Sequence, residues 1–264
     1  MDYKIQKSKD GVIKVKFKEG YSSVIIPTKD GKNTICVSCQ IGCPVKCKFC
    51  YSAKVGFKRS LTYEEILLQV KIAKKIIGKK PTSVVFMGMG EPLLNLKNVL
   101  DAAEEIHNKF LVAYHRITLS TSGLKNINKL ISTKFNIAIS FHSPFDKIRK
   151  TLMPFAISIN KILNFAGKYC KKHHKKNYIM IEYALIKGIN DREKDLKKLL
   201  ELKWPKRTLF NLIEFNEIGK YKKANDKVYE KFKKEIIKKG FKCFIRKSRG
   251  RDIKASCGML DYSR

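Results

Sequence analysis

Three thiols stand within eight residues of this chain, in Cys43-Pro-Val-Lys-Cys47-Lys-Phe-Cys50. Thiolates at this spacing can hold three irons of a four-iron cubane and leave the fourth open. Fe–S clusters are bound by Cys thiolates, and a purely structural cluster takes four of them. An open iron is a place to bind and activate something, so the spacing points to chemistry. The competing reading is zinc. Closed zinc sites favour paired CxxC or CxxC…HxxxH ligands with a fourth protein donor. No second cysteine pair follows, and His173 and His174 lie far along the chain in a Lys-rich stretch. The CxxxCxxC spacing also differs from the usual zinc pairings. The expectation is a [4Fe-4S] cluster on Cys43, Cys47 and Cys50.

The flanking pattern supplies a scaffold. Val12–Phe17 and Ser23–Ile26 alternate like strands, Asp30-Gly31 is a turn signal, and Thr34 to Cys39 reads as a strand entering the cysteine loop. Helices and buried strands then alternate. Thr62 to Glu65 is a capping box, with Ile66, Val70, Ala73 and Ile77 on one face and Gly78 as a stop. Strands are expected at Ser83–Met87, Arg116–Ser120, Phe135–Phe141, Tyr178–Ile186, Thr208–Phe215 and Lys242–Arg246. Helices are expected from Asn95, Ser158 and Asp191, and over Asp226–Lys239. Such alternation predicts an α/β fold with a parallel sheet. About six units suit an open, partial β/α barrel, with ligands at the C-terminal strand ends. The expected domains are a short β extension at 1–35, the barrel at 36–218, and a C-terminal extension at 219–264.

Polar groups recur at those strand ends. Gly88-Met89-Gly90-Glu91-Pro92 follows one strand. Its glycines allow close backbone approach, and Glu91 reads equally as a partner for a cationic amine or as a solvated turn residue. Ser120 and Ser140 could bond a ribose or carboxylate, or simply cap helices. His142 is a ligand contact or a satisfied structural histidine, and Asn216 has the same ambiguity. Together they favour one pocket. Cys36 lies on the strand entering the cysteine loop. Cys257 sits beside Arg249, Arg251 and Lys254, which should ease its ionisation and suit it as a nucleophile toward an alkyl sulfonium. Its bland alternative is a thiol on a phosphate-binding tail. Cys170 and Cys243 read as packed thiols.

Lys and Arg number 57 against 23 Asp and Glu, a net charge of +34. That exceeds the ~2–8 units that solubility asks of a small domain. A polyanion, RNA first, is the natural partner, although a Lys-rich genome would give the same excess. No apolar run reaches the ~18 residues of a membrane span, the N-terminus lacks a signal-peptide pattern, and ligand-spaced cysteines fit a reducing compartment. A cytoplasmic protein is expected.

The aromatic Tyr51 after Cys50 resembles radical S-adenosylmethionine (SAM) enzymes. CVSxQxGCxxxCxFC, GMGEPLLN, LSTSG, Ser-Phe-His, the Asn-Leu-Ile…Asn run and RKxRGxDIxAxCG occur in one order from about Ser23 to Leu260. Together they resemble the RNA adenine methyltransferases acting at C2 or C8, the RlmN/Cfr family. The resemblance implies a radical SAM barrel with Cys43, Cys47 and Cys50 as cluster ligands. It places Gly90, Glu91, Ser120, Ser140, Phe141, His142 and Asn216 at SAM. It makes Cys257 the methylated cysteine and Cys36 its resolving partner, with two SAM per turnover and a Cys36–Cys257 disulfide at the end. It implies methylation at C2, with C8 left open, of rRNA, tRNA or both, by a monomer with an electron donor such as flavodoxin or ferredoxin and no membrane partner. Larger members carry a helical RNA-binding domain before the barrel, and only a short β region precedes Cys36 here. They also place a Glu where Ser22 or Ser23 stands, so the proton acceptor is unassigned, and Cys39 has no role. A radical SAM enzyme with another substrate, or a non-enzymatic Fe–S or zinc RNA-binding protein, are the alternatives.

Overall fold

A computed structural model describes residues 2–28, 30–173 and 177–260, so His174 lies outside the described residues. The chain divides into two compact units. One comprises Met1–Lys46, Cys50–Ser120 and Arg249–Arg264; the other comprises Cys47–Phe49 and Thr121–Ser248.

The first unit holds β1 (Tyr3–Lys7), β2 (Ile13–Phe17), β3 (Ser22–Pro27), β4 (Asn33–Cys36), β5 (Gln40–Ile41), α1 (Tyr51–Lys54), β6 (Arg59–Ser60), α2 (Tyr63–Ile77), β7 (Ser83–Phe86), α3 (Leu96–Phe110) and β8 (Ile117–Thr121). Strands β1 to β4 pair antiparallel in sequence order, and β4, β7 and β8 continue as parallel neighbours. Parallel neighbours need a crossover, which α2 and α3 provide. The capping box on α2 is present, with Thr62 Oγ1 accepting from Glu65 N and Gly78 ending the helix at φ 67°. The sequence pattern does not announce β1, whose residues after Tyr3 are exposed.

The second unit holds β9 (Asn136–Ser140), α4 (Asp146–Leu152), α5 (Ile159–Lys172), β10 (Ile179–Ala184), α6 (Glu193–Glu201), β11 (Thr208–Ile213), α7 (Asp226–Lys238) and β12 (Lys242–Arg246). Its four strands run parallel in sequence order. Among the described residues, six strands follow the cysteine loop in parallel ladders: β7, β8 and β9 to β12. The α/β, mostly parallel expectation holds.

Three local expectations are corrected. The strand expected to Cys39 stops at Cys36, because Ser38 N donates to buried Gln69 Oε1 and Ser38 O accepts from Gln69 Nε2, both at 2.8 Å. Asn95 stands at the start of α3 without capping it; its Nδ2 donates to the Cys39 and Leu61 carbonyls, both at 2.8 Å. The helix expected from Asp191 starts at Glu193, while Asp191 Oδ1 accepts from Gly188 N at 2.7 Å. No helix among the described residues is long and apolar enough to cross a membrane.

Candidate active site

In the first unit the cysteine loop is closed at its base by the antiparallel β5–β6 pair. Gly42 is required there. Its φ is +73°, and a Cβ would lie 1.5 Å from the Gly56 carbonyl oxygen. The GMGEP segment seats against the same stretch. Met89 O accepts from Cys39 N at 2.9 Å and Gln40 N at 3.2 Å, and Glu91 N donates to Gln40 Oε1 at 2.9 Å. A Cβ on Gly88 would meet Val37 O at 2.7 Å, and one on Gly90 would meet Cys39 Sγ at 2.9 Å. Gly88 admits the protein's own backbone at Val37, and Gly90 admits the side chains of Gln40 and Cys39. Glu91 is 3% exposed, not solvated, and its Oε1 accepts from Leu93 N at 3.2 Å. Ser120 is half-buried near the end of β8.

The C-terminal segment returns to this unit. Cys36, 5% exposed, packs in one apolar cluster with Val12, Val24, Ala255 and Leu260, flanked by Ile253. Arg249 donates to the carbonyls of Asp10 and Pro27, anchoring the segment on the N-terminal strands. Tyr51 N, one residue past Cys50, donates to Gly258 O, one residue past Cys257, at 2.9 Å. Cys257 is half-buried, and its charge adds to what raises the Cys50 thiol's pKa. The tail therefore brings Cys257 to the Cys50 side of the loop and its apolar neighbours to Cys36. Ser22 and Ser23 are fully buried on β3. Ser23 Oγ finds no hydrogen-bond partner among the described residues.

In the second unit Cys47 and Phe49 pack against a cluster that includes Leu152, Met153 and Phe215. Lys48 N donates to Leu152 O at 2.9 Å. Phe49 meets the buried His142 ring edge-on at 4.9 Å. His142 has φ 54°, a left-handed conformation uncommon outside glycine. Its Nδ1 accepts from Ala184 N at 3.0 Å, which puts the neutral ring's proton on Nε2. The structural role of His142 is thus present. Phe141's ring is core, edge-on to Trp204 at 5.0 Å. Ser140 is half-buried at the end of β9. Asn216 follows β11, and its Oδ1 accepts from Ser248 Oγ at 2.5 Å.

Two groups escaped the sequence reading. Glu182 is buried in register with Ser140 and Asn211 on adjacent strands. Both its oxygens accept from Asn211 Nδ2 at 3.1 Å, and burial raises its pKa. A lone carboxylate inside the apolar run Tyr-Ile-Met-Ile-Glu-Tyr-Ala was the available signal. The other is Arg149, whose helix looks solvated in sequence.

The thiols fit a cluster. Burial pushes Cys43 up to about 12, with Cys50 and Glu91 adding repulsion, and burial likewise raises Cys50. Such thiols ionise only when a cation compensates them, as cluster irons do. Buried Glu91 adds its negative charge to what raises both Cys39 and Cys43. Among the described residues no three His, Cys, Asp or Glu side chains could enclose one metal ion. A cubane asks for something else, one thiolate on each of three irons.

Residues 37–200 match the family model of the radical SAM superfamily. The dual-specificity RNA methyltransferase RlmN of Buchnera aphidicola subsp. Schizaphis graminum is 41% identical over 260 residues, covering 92% of this chain and 70% of that protein. The probable dual-specificity RNA methyltransferase RlmN of Clostridium botulinum is also 41% identical, over 91% of this chain and 72% of its own. The crystal structure of a radical SAM methyltransferase from Sphaerobacter thermophilus superposes with a TM-score of 0.89 at 29% identity, over 98% of this chain and 80% of that one.

Proposed function

Because the chain belongs to the radical SAM superfamily and, within it, to the RlmN family of dual-specificity RNA methyltransferases, we propose that it methylates a ring carbon of adenosine in RNA. C2 is the favoured carbon, with C8 the alternative, in rRNA, tRNA or both. The observation that carries this reading is the Tyr51–Gly258 hydrogen bond, which pins the Cys257 segment beside cluster ligand Cys50.

Cys43, Cys47 and Cys50 would hold the [4Fe-4S] cluster. Glu91 would face the ammonium of SAM, aided by Gly90, Ser120, Ser140, His142, Asn216 and the main chain of Phe141. When bound, the cluster and SAM supply a 5′-deoxyadenosyl radical, and another SAM supplies an electrophilic methyl group. Cys257 thiolate takes that methyl and holds it as a thioether. After losing a hydrogen atom, the sulfur-borne carbon can bond to a ring carbon that is not itself nucleophilic. The ring carbon then releases a proton to solvent, and the adduct gives one electron to a one-electron acceptor, the oxidised form of a carrier such as flavodoxin or ferredoxin. Cys36 thiolate attacks the Cys257 sulfur next: an S–S bond forms, the S–C bond breaks, and its electron pair stays on carbon, which takes a proton. External two-electron reduction restores both thiols. A one-electron donor such as flavodoxin or ferredoxin, a monomeric state and a cytoplasmic setting complete the proposal.

Mass spectrometry of Cys257 from cells should find one added methyl group. Cys257→Ala should abolish RNA methylation while the reduced enzyme still releases 5′-deoxyadenosine. Unchanged product from that variant would sink the reading.

A further inference from the structure

Arg149 sits mid-way along α4, in Asp-Lys-Ile-Arg-Lys-Thr-Leu, yet is 1% exposed. Its Nη1 donates to the carbonyls of Ser140 (3.3 Å) and Phe141. The guanidinium lies over the Phe141 ring, 5.0 Å from its centroid. Nε and Nη2 are buried and find no hydrogen-bond partner among the described residues. Burying charged donors without acceptors is costly, so a missing acceptor is the natural explanation.

The surroundings identify its chemistry. A guanidinium stays protonated in proteins, so Arg149 is cationic at neutral pH, and Asp146 and Cys47 are the acidic groups near enough to act on it. Asp146 Oδ1 is engaged by Ile159 N at 2.9 Å. His142 turns an acceptor nitrogen to Ala184 N and feels Arg149 only as repulsion. Cys47 remains as the anionic group in prospect. Its loop is tied to α4 one turn beyond Arg149, through Lys48 N and Leu152 O.

We propose that Arg149 donates Nε–H and Nη2–H to sulfur at the Cys47 corner of the cluster, and so sets the potential at which the cluster accepts an electron. This rests on the cluster reading above. Fixed positive charge and N–H···S bonds favour the more negative, reduced cluster, because net charge and hydrogen bonds to sulfur set such potentials. Arg149 is therefore a positioning residue that makes the one-electron reduction easier.

The test is an EPR-monitored redox titration of anaerobically reconstituted protein. In Arg149→Gln the reduced-to-oxidised ratio at a fixed potential should fall about tenfold, a midpoint about 59 mV more negative for one electron. Arg149→Lys, which keeps the charge, should recover most of that shift. A loaded R149Q cluster with the parental midpoint overturns the proposal. Since R149Q also loses the bonds to Ser140 and Phe141 and can fail to load, unmutated protein labelled with ¹⁵N-arginine supplies a second readout. The reduced cluster's electron spin should couple to ¹⁵N without added SAM, and R149K should lose that coupling. No coupling overturns the proposal, and so does coupling that appears only with SAM, which would assign the guanidinium to the SAM carboxylate. Protein that binds no cluster removes the functional reading itself, whereas a normal cluster indifferent to Arg149 removes only this inference.

Discussion

Replacing Gly42 with Ala tests whether the cysteine loop depends on its crossing at Gly56. Gly31 is the internal control. Gly42 and Gly31 share nearly the same backbone, at φ +73° and +74°. An added Cβ at Gly31 meets nothing within 4 Å, whereas at Gly42 it would sit 1.5 Å from Gly56 O. Both substitutions incur left-handed strain of ~1–2 kcal/mol. Only G42A adds overpacking, typically ~1–3 kcal/mol, because the opposing atom is backbone and cannot swing aside. The expected costs are thus about 1–2 kcal/mol for G31A and about 2–5 kcal/mol for G42A. At roughly 2–4 °C per kcal/mol for a chain this long, metal-free G42A should melt several degrees below G31A. Gly42 precedes Cys43, so reconstituted G42A should also lose iron faster to a chelator. Equal melting temperatures and equal iron loss in the two variants would refute the argument.

The pH and salt responses follow from equally specific features. Burial, seconded by Arg149, holds His142 down to about 3 against an ordinary ~6.5. The unfolded chain binds the proton first as pH falls, so this contribution is complete above pH ~6.5 and is lost by about 1.4 kcal/mol per pH unit on the way to the folded pKa. His142→Asn tolerates the left-handed backbone and offers an amide oxygen to Ala184 N. Denaturant titrations of metal-free protein should show a flatter acid limb in H142N, and an unchanged limb would contradict the assignment. With a net charge of +34, RNA affinity should be dominated by phosphate contacts. Six to ten of them would weaken binding about 10³–10⁵-fold between 50 and 200 mM salt, and a flat salt series in filter-binding assays would exclude that mode.

Legibility in the sequence followed the range of the interaction. The α2 capping box is a contact between residues three apart, and it appears as expected. The alternation of strands and helices is likewise a local pattern. Asn95 shows where local rules stop: its position at the start of α3 matches a cap, but Cys39 and Leu61, distant in sequence, take its amide. Gly88 and Gly90 are needed, as the motif implies, but for contact with Val37 to Gln40. Arg149 and Glu182 were opaque for the same reason. A basic residue in a charged helix looks solvated until the turn after β9 folds over it. A carboxylate in a strand gives no sign of the amide that Asn211 will present from the next strand.

The hydrogen bond between Tyr51 and Gly258 holds the C-terminal segment against the cysteine loop, so in the proposed reaction that segment is a tethered reagent rather than a separate substrate. Short tethers act like millimolar concentrations of the free group. A peptide spanning Arg249 to Leu260, supplied to a chain shortened before it, would therefore have to approach that concentration to take its place. Dilution of the intact protein should leave the encounter of Cys257 with the loop unchanged.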